Sequence, residues 1–117
     1  MIDDALALSH LIVDTLEEKK GEDILLLDLV GICSFTDYFV ICTGKSERTL
    51  KSLAEETSLR LKSQHSIMTR SVEGDASSGW VLLDYGDVIL HLFSPALRDY
   101  YRLEDLWRDG QVLVHLQ

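Results

Sequence analysis

Two apolar runs joined by a very short loop constrain the fold of this chain more than any other feature. Residues 80–84 (WVLLD) form the first run and residues 87–93 (DVILHLF) the second, with Tyr85 and Gly86 between them. Because Gly86 can take a positive φ without a steric penalty, the spacing predicts a β-hairpin with a two-residue loop. The second run is apolar on both faces, which predicts a central strand covered on both sides.

Helix and strand patterns extend this predicted sheet. Ser94 followed by Pro95 predicts the start of a helical segment, since serine caps a helix and proline fits its first turn. Residues 2–20 predict an amphipathic helix, and residues 47–64 predict another with Ser46 as its N-cap. Two further apolar runs predict buried strands, at residues 23–29 and 38–43.

Two segments allow more than one interpretation. Residues 67–72 could add a short strand, whereas the Gly- and Ser-rich residues 73–79 predict a mobile loop. Residues 112–116 could form a short strand or an extended tail. We therefore predict a single α/β domain over residues 1–117, with a mixed sheet flanked by helices and residues 110–117 as a C-terminal tail.

Charge and hydropathy limit the classes of partner. The chain has 20 acidic and 11 basic residues, so its net charge of -9 repels nucleic-acid backbones and favours a basic protein surface. No apolar run is long enough to span a membrane, and Asp3 and Asp4 stand where a signal or transit peptide would be basic. We expect a cytoplasmic protein without membrane association, with Cys33 and Cys42 as buried thiols.

One candidate for nucleotide chemistry is the Gly44-Lys45-Ser46 turn between a predicted strand and a predicted helix. Free N–H groups at a helix N-terminus can bind phosphate, but a P-loop needs a glycine at position 39, which is Phe39. The alternative is a tight turn in which Ser46 caps the helix.

Two aspartates and one histidine are further candidates for chemistry. Asp84 and Asp87 flank the hairpin loop and could bind a metal ion or act as acid and base. The alternative is that both carboxylates stabilise the turn. The four histidines have no metal-binding spacing, and His91, inside the central strand, is expected to be a hydrogen-bonded core histidine.

Recognition of a protein surface is the remaining interpretation. Trp80 follows the predicted mobile loop and Tyr85 occupies the hairpin loop, so both are expected to be accessible to solvent. Their acidic neighbours would suit an Arg- or Lys-rich partner, and these are Glu73, Asp75, Asp84 and Asp87. The alternative is that Trp80 is an ordinary sheet residue covered by the second helix.

Five motifs, in the same order along most of the chain, resemble the Iojap family of ribosomal silencing factors (RsfS). They are residues 23–29 (DILLLDL), 36–44 (TDYFVICTG) with Ser46, 72–74 (VEG), 79–91 (GWVLLDYGDVILH) and 98–107 (RDYYRLEDLW). The first helix and the last ten residues carry no diagnostic motif. The resemblance implies a small α/β domain, distantly similar to the nucleotidyltransferase fold, without the catalytic carboxylates of that superfamily.

Members of this family bind the large ribosomal subunit through ribosomal protein L14 and block joining of the small subunit when nutrients are short. The resemblance therefore implies a steric mechanism without enzymatic activity, metal or cofactor, and without sequence-specific nucleic-acid binding. It also implies a bacterial, cytoplasmic protein that forms a homodimer when free. The recognition region of the family maps onto Glu73, Trp80, Asp84, Tyr85 and Asp87.

The competing hypothesis is a nucleotide-binding or nucleotidyltransferase-like enzyme. It would use the Gly44-Lys45-Ser46 turn together with Asp84 and Asp87. The two hypotheses make different predictions. Calorimetry with Mg-ATP distinguishes them, because a true nucleotide site should give saturable, metal-dependent heat.

Overall fold

A six-stranded mixed sheet in the order β3-β4-β5-β2-β1-β6 forms the centre of the computed structural model, which describes residues 4–117. The strands are β1 (Glu22–Asp28), β2 (Tyr38–Thr43), β3 (Ser71–Asp75), β4 (Trp80–Asp84), β5 (Val88–Phe93) and β6 (Gln111–Leu116). The helices are α1 (Ala5–Glu18), α2 (Glu47–His65), α3 (Pro95–Tyr101) and α4 (Leu103–Leu106). Strands β2 and β5 run parallel and the other neighbours antiparallel, which confirms the predicted α/β fold with a mixed sheet.

The predicted hairpin forms, and its second strand is central. All six side chains of β5 are buried, and the strand lies between β4 and β2. The turn lies one residue later than predicted, because the Tyr85 N–H donates to the Val88 carbonyl at 2.9 Å and leaves Gly86 and Asp87 as the loop. Gly86 has a φ of 90°, as its place in the loop requires.

The two longer helices pack together on one face of the sheet. Helix α1 begins after Asp4, whose carboxylate accepts the Ala7 N–H at 2.6 Å. Helix α2 begins after the predicted cap, Ser46, whose hydroxyl accepts the Thr49 N–H at 3.1 Å. Both amphipathic helices are confirmed, although the predicted start of the first one, at residues 2 and 3, lies outside the described residues.

After β5 the chain forms two short helices on the opposite face. Ser94 caps α3 by accepting the Leu97 N–H at 3.2 Å, and Pro95 occupies the first turn, as predicted. Arg102 then takes a φ of 48°, which ends α3 and separates it from α4. The side chains of Leu97 and Leu103 pack these helices against the sheet.

Two segments that allowed more than one interpretation from the sequence contribute strands to the sheet. Residues 71–75 pair with β4 as an edge strand and residues 76–78 form a 3-10 turn, so the prediction of a mobile loop over residues 73–79 is wrong. The Asp75 carboxylate accepts the Ser78 N–H at 2.9 Å and closes this turn. At the other edge, residues 111–116 pair with β1, so the strand forms there and not an extended tail.

Candidate docking surface

The sheet face opposite α1 and α2 is only partly covered, and aromatic side chains line it. We call this surface the aromatic face and define it by six residues, Phe39, Trp80, His91, Phe93, Tyr101 and Trp107. Ring centroids lie 4.9 Å apart for Trp80 and Phe93, and 4.8 Å apart for Trp80 and Tyr101. These separations are typical of favourable aromatic pairs, so the rings support one another.

A hydrogen bond holds Trp80 to the central strand. Its indole Nε1–H donates to Nδ1 of His91 at 3.2 Å. The His91 side chain is buried, and this burial lowers its pKa to about 4, so the imidazole is neutral at pH 7. Because Nδ1 accepts, the ring proton lies on Nε2. The prediction that His91 is a hydrogen-bonded core histidine is confirmed.

A groove of about 330 Å³ lies beside Trp80. Apolar, aromatic and carboxylate groups combine in its walls, which are formed by Glu73, Gly74, Ser78, Trp80, Leu82, Leu97 and Tyr101. Glu73 on β3 lies directly opposite Leu82 on β4, so its carboxylate shares a sheet face with the Trp80 ring. Aromatic rings beside a carboxylate are suited to a Lys or Arg side chain.

Three of the predicted binding residues lie on this face of the sheet. Trp80 and Asp84 alternate with inward-facing residues along β4, and Glu73 joins them from β3. Asp84 also stabilises the hairpin, because its carboxylate accepts the Gly86 N–H at 2.7 Å. Asp87 is exposed in the loop of the hairpin.

The expectation that Tyr85 is accessible to solvent is wrong. Its side chain is 9% exposed and belongs to the core under α1 and α2. The one-residue shift of the turn explains this, since successive strand residues point to opposite faces. Burial raises the pKa of Tyr85 to about 12, and its hydroxyl has no hydrogen-bond partner among residues 4–117.

The alternative placement of Trp80 under the second helix is also wrong. Its ring contacts Phe93 and Tyr101 on the face opposite α2, and the residue is half-buried. Sequence reasoning missed Leu82, Leu97 and Tyr101 as groove residues. The alternation of Leu82 with Trp80 along the strand could have indicated Leu82, whereas the position of Tyr101 depends on how α3 packs.

The residues of the competing nucleotide site lie at opposite ends of the sheet. Asp87 is next to the start of β2, since its carbonyl accepts the Tyr38 N–H at 3.0 Å, whereas Gly44 follows the end of that strand. A strand of this length separates them by roughly 16 to 20 Å. Lys45 forms an ion pair with Glu22 at 3.0 Å, on the surface of the strand-to-helix turn.

Within residues 4–117, no group of three or more His, Cys, Asp or Glu side chains could hold a metal ion. The two cysteines, Cys33 and Cys42, are buried and free, as predicted. Burial raises the pKa of the Cys42 thiol to about 12, so it is protonated at neutral pH.

A buried arginine fixes the short helices that border the aromatic face. Arg98 is 7% exposed, and its Nε donates to Glu104 at 2.9 Å. Its Nη1 donates to the Asp23 carbonyl at 2.9 Å and to the Thr43 hydroxyl at 3.0 Å. These bonds connect α3 and α4 to the ends of β1 and β2, next to a cavity of about 440 Å³. The guanidinium therefore holds the segment that carries Tyr101 in place.

No helix in the described part of the chain combines the length and the apolar character needed to cross a membrane. The fold and the surface define a small α/β protein with an aromatic groove on one sheet face, which is a candidate docking surface. The candidate nucleotide residues do not converge.

Comparisons with known proteins give the family. The family model described as "Ribosomal silencing factor during starvation" (RsfS) matches residues 2–117. The ribosomal silencing factor RsfS of Bacillus subtilis (strain 168) is 41% identical over 94 residues, which cover 80% of this chain and 79% of that protein. A crystal structure of a Chromobacterium violaceum protein superimposes with a TM-score of 0.85 at 37% identity, covering 97% of this chain and 92% of the other. The chain belongs to the RsfS family, as its motifs indicated.

A more distant mouse relative is named "Mitochondrial assembly of ribosomal large subunit protein 1". It is 30% identical over 102 residues, which cover 83% of this chain and 43% of the mouse protein. Its name connects that relative with the large ribosomal subunit.

Proposed function

We propose that this protein binds the large ribosomal subunit through ribosomal protein L14, sterically blocks joining of the small subunit, and so represses translation under nutrient limitation. Membership of a silencing-factor family described as acting during starvation supports the proposal. The name of the mouse relative supports the large subunit as the partner. The structural observation that carries the proposal is the groove in which the half-buried Trp80 and the exposed Tyr101 lie beside the Glu73 carboxylate.

In this proposal, charge and aromatic contact have separate effects on binding. The net charge of -9 accelerates association with a basic ribosomal protein, because opposite charges steer diffusing partners together. Trp80 and Tyr101 anchor the complex and set its lifetime, because apolar contacts made at short range act mainly on dissociation. Steric blocking of subunit joining requires no catalytic group.

We propose a revised set of binding residues. Glu73, Trp80 and Asp84 remain from the sequence prediction, and Leu82 and Tyr101 join them as walls of the groove. Asp87 contributes at the rim. Tyr85 acts from inside the core, where it supports β4.

We also propose that the free protein is a cytoplasmic homodimer. Exposed apolar side chains next to the aromatic face, among them Phe35 and Leu106, favour burial in a self-complementary interface. Sedimentation velocity tests this proposal, and a monomer at micromolar concentration would contradict it.

Co-sedimentation with separated ribosomal subunits tests the ribosomal partner. The wild-type protein is expected to pellet with the large subunit and not with the small one. Trp80→Ala should weaken this attachment strongly, whereas Leu59→Ala should keep it, because Leu59 is an exposed apolar residue on α2. Attachment to the small subunit alone, or to neither, would overturn the proposal.

Two further measurements test the finer parts of the proposal. Light scattering should show that large subunits preincubated with the protein fail to join small subunits, and purified L14 alone should bind. Calorimetry with Mg-ATP tests the competing hypothesis. Saturable, metal-dependent heat there would favour a nucleotide-binding enzyme.

A further inference from the structure

His91 occupies an unfavourable position for a polar side chain. Its strand is otherwise apolar (VILHLF), and every residue of the strand is buried. The side chain is 4% exposed, and its Nε2 has no hydrogen-bond partner among residues 4–117. A buried donor without a partner destabilises a protein, whereas an apolar side chain of similar size packs there without that penalty. Fold stability therefore does not explain a histidine at this position.

The acceptor that His91 offers to Trp80 does explain it. Trp80 contacts its aromatic neighbours as tilted rings, and such contacts set no direction for the indole N–H about the second side-chain torsion. That torsion joins an sp³ to an sp² carbon and has broad minima. The bond from Nε1 to His91 Nδ1, 3.2 Å long, selects one of these orientations.

We infer that His91 is a positioning residue, whose Nδ1 holds the Trp80 indole in the orientation that the partner protein contacts. This inference rests on the proposed function, because it requires Trp80 to lie in the interface. His91 acts through Trp80, since it is buried beneath the surface. A ring fixed before binding loses less conformational freedom in the complex, so the partner binds more tightly.

The test compares two substitutions of His91 that differ in one property. His91→Leu removes the acceptor and the unpartnered donor together. His91→Asn keeps an acceptor, because an Asn side-chain oxygen occupies a place similar to that of Nδ1. Binding to purified large subunits and to L14 is measured together with thermal unfolding.

His91→Leu is expected to unfold at the same temperature as the wild type or higher, yet to bind about tenfold more weakly, because the free indole ring must then be ordered on binding. His91→Asn is expected to recover most of the binding. Unchanged or higher stability together with lower affinity would show that His91 orients the Trp80 indole and does not stabilise the fold. Loss of stability in His91→Leu would overturn the inference, as would equal binding by the Leu and Asn variants.

A double-mutant cycle with Trp80→Phe isolates the hydrogen bond. Phenylalanine keeps an aromatic ring but lacks the indole N–H, so His91→Leu should weaken binding by less than about twofold in that background. The indole N–H resonance of Trp80 in the free protein should shift in His91→Leu and return toward its wild-type position in His91→Asn. If His91→Leu weakened binding in the Trp80→Phe background as much as it does in the wild-type background, the positioning role would be overturned.

The same experiments separate this inference from the proposed function. If Trp80→Ala abolishes binding and His91→Leu does not change it, the proposed function stands and the positioning role is overturned. If Trp80→Ala leaves binding to the large subunit unchanged, the proposed function stands, but the docking surface is elsewhere and the positioning role is overturned. If the wild-type protein does not bind the large subunit, the proposed function itself is overturned.

Discussion

The two faces of the central sheet consist of alternate residues of the same strands, yet their chemistry differs. The face under α1 and α2 is closed and mostly aliphatic, with Leu26, Val40 and Leu90 completely buried. The opposite face is aromatic and partly open, with Trp80 half-buried and Tyr101 45% exposed. From this comparison we expect the first face to supply most of the stability, and we propose the second face for recognition.

The largest effect on stability is expected from a substitution that creates a cavity under α1 and α2. Leu53→Ala should lower the free energy of unfolding by about 2 to 5 kcal/mol, because the site is fully buried and can collapse only in part. Urea denaturation measures this loss. Leu59→Ala, at an exposed site on the same helix, should change stability by less than about 0.5 kcal/mol. Similar losses of stability in both variants would contradict the assignment of stability to the buried side chains under α1 and α2.

Acid should destabilise the protein, because His91 on the aromatic face is buried in its neutral form. The pKa of His91 falls from its usual 6.5 to about 4 in the folded state. Between these values the unfolded chain binds a proton that the folded chain does not. The contribution of His91 to the free energy of unfolding therefore falls as the pH drops through this window, by up to about 3 kcal/mol.

Urea denaturation at pH 7 and pH 4.5 measures this effect, and His91→Leu serves as the matched control. Lowering the pH from 7 to 4.5 should reduce the free energy of unfolding less in His91→Leu than in the wild type. The difference between the two reductions is the contribution of His91. Equal acid losses in the two proteins would show that His91 is not buried in its neutral form.

Truncation of Trp80 should separate binding from stability. Trp80→Ala is expected to weaken binding to the large subunit by about 2 kcal/mol or more, which is roughly thirtyfold. Dissociation should account for most of the change, because a short-range contact is lost while the net charge is unchanged. Surface plasmon resonance measures both rates. An unchanged dissociation rate in a folded variant would contradict the assignment of Trp80 to the interface.

The smallest effect is expected at Tyr85. Tyr85→Phe removes a buried hydroxyl that has no partner within residues 4–117, so stability should stay constant or rise by less than about 1 kcal/mol. Binding should not change, because the ring lies under the helices. The affinity of Tyr85→Phe for the large subunit, measured in parallel with that of Trp80→Ala, checks this expectation. Weaker binding by Tyr85→Phe would restore Tyr85 to the docking surface.

Most of the fold could be predicted because local patterns and tertiary packing agree there. The hairpin, the central strand and the second helix each have a clear hydrophobic period, and Ser46 and Ser94 mark the helix starts through hydrogen bonds to nearby residues. Strand β3 could be predicted only in part, as a possible short strand at residues 67–72 that overlaps its first two residues. Its five residues are all exposed, and its pairing with β4 depends on backbone hydrogen bonds that composition does not reveal.

The docking surface could be predicted only in part, for two physical reasons. A shift of the turn by one residue reverses the direction of a side chain, which placed Tyr85 on the wrong face. The groove also needs Tyr101 from α3, and the buried bonds of Arg98 determine where that helix packs. Such long-range contacts leave no periodic pattern in the sequence.

The parallel pairing of β2 with β5 has a consequence for the way the chain folds. The Thr36 hydroxyl next to β2 donates to the Gly86 carbonyl next to β5, 50 residues later, at 3.1 Å. The centre of the sheet therefore forms only after a long segment has closed into a loop, and such non-local closure slows folding. During synthesis, Trp80 obtains its support from Tyr101 only when α3 has left the ribosome. The surface proposed to silence ribosomes is consequently among the last parts of the molecule to form.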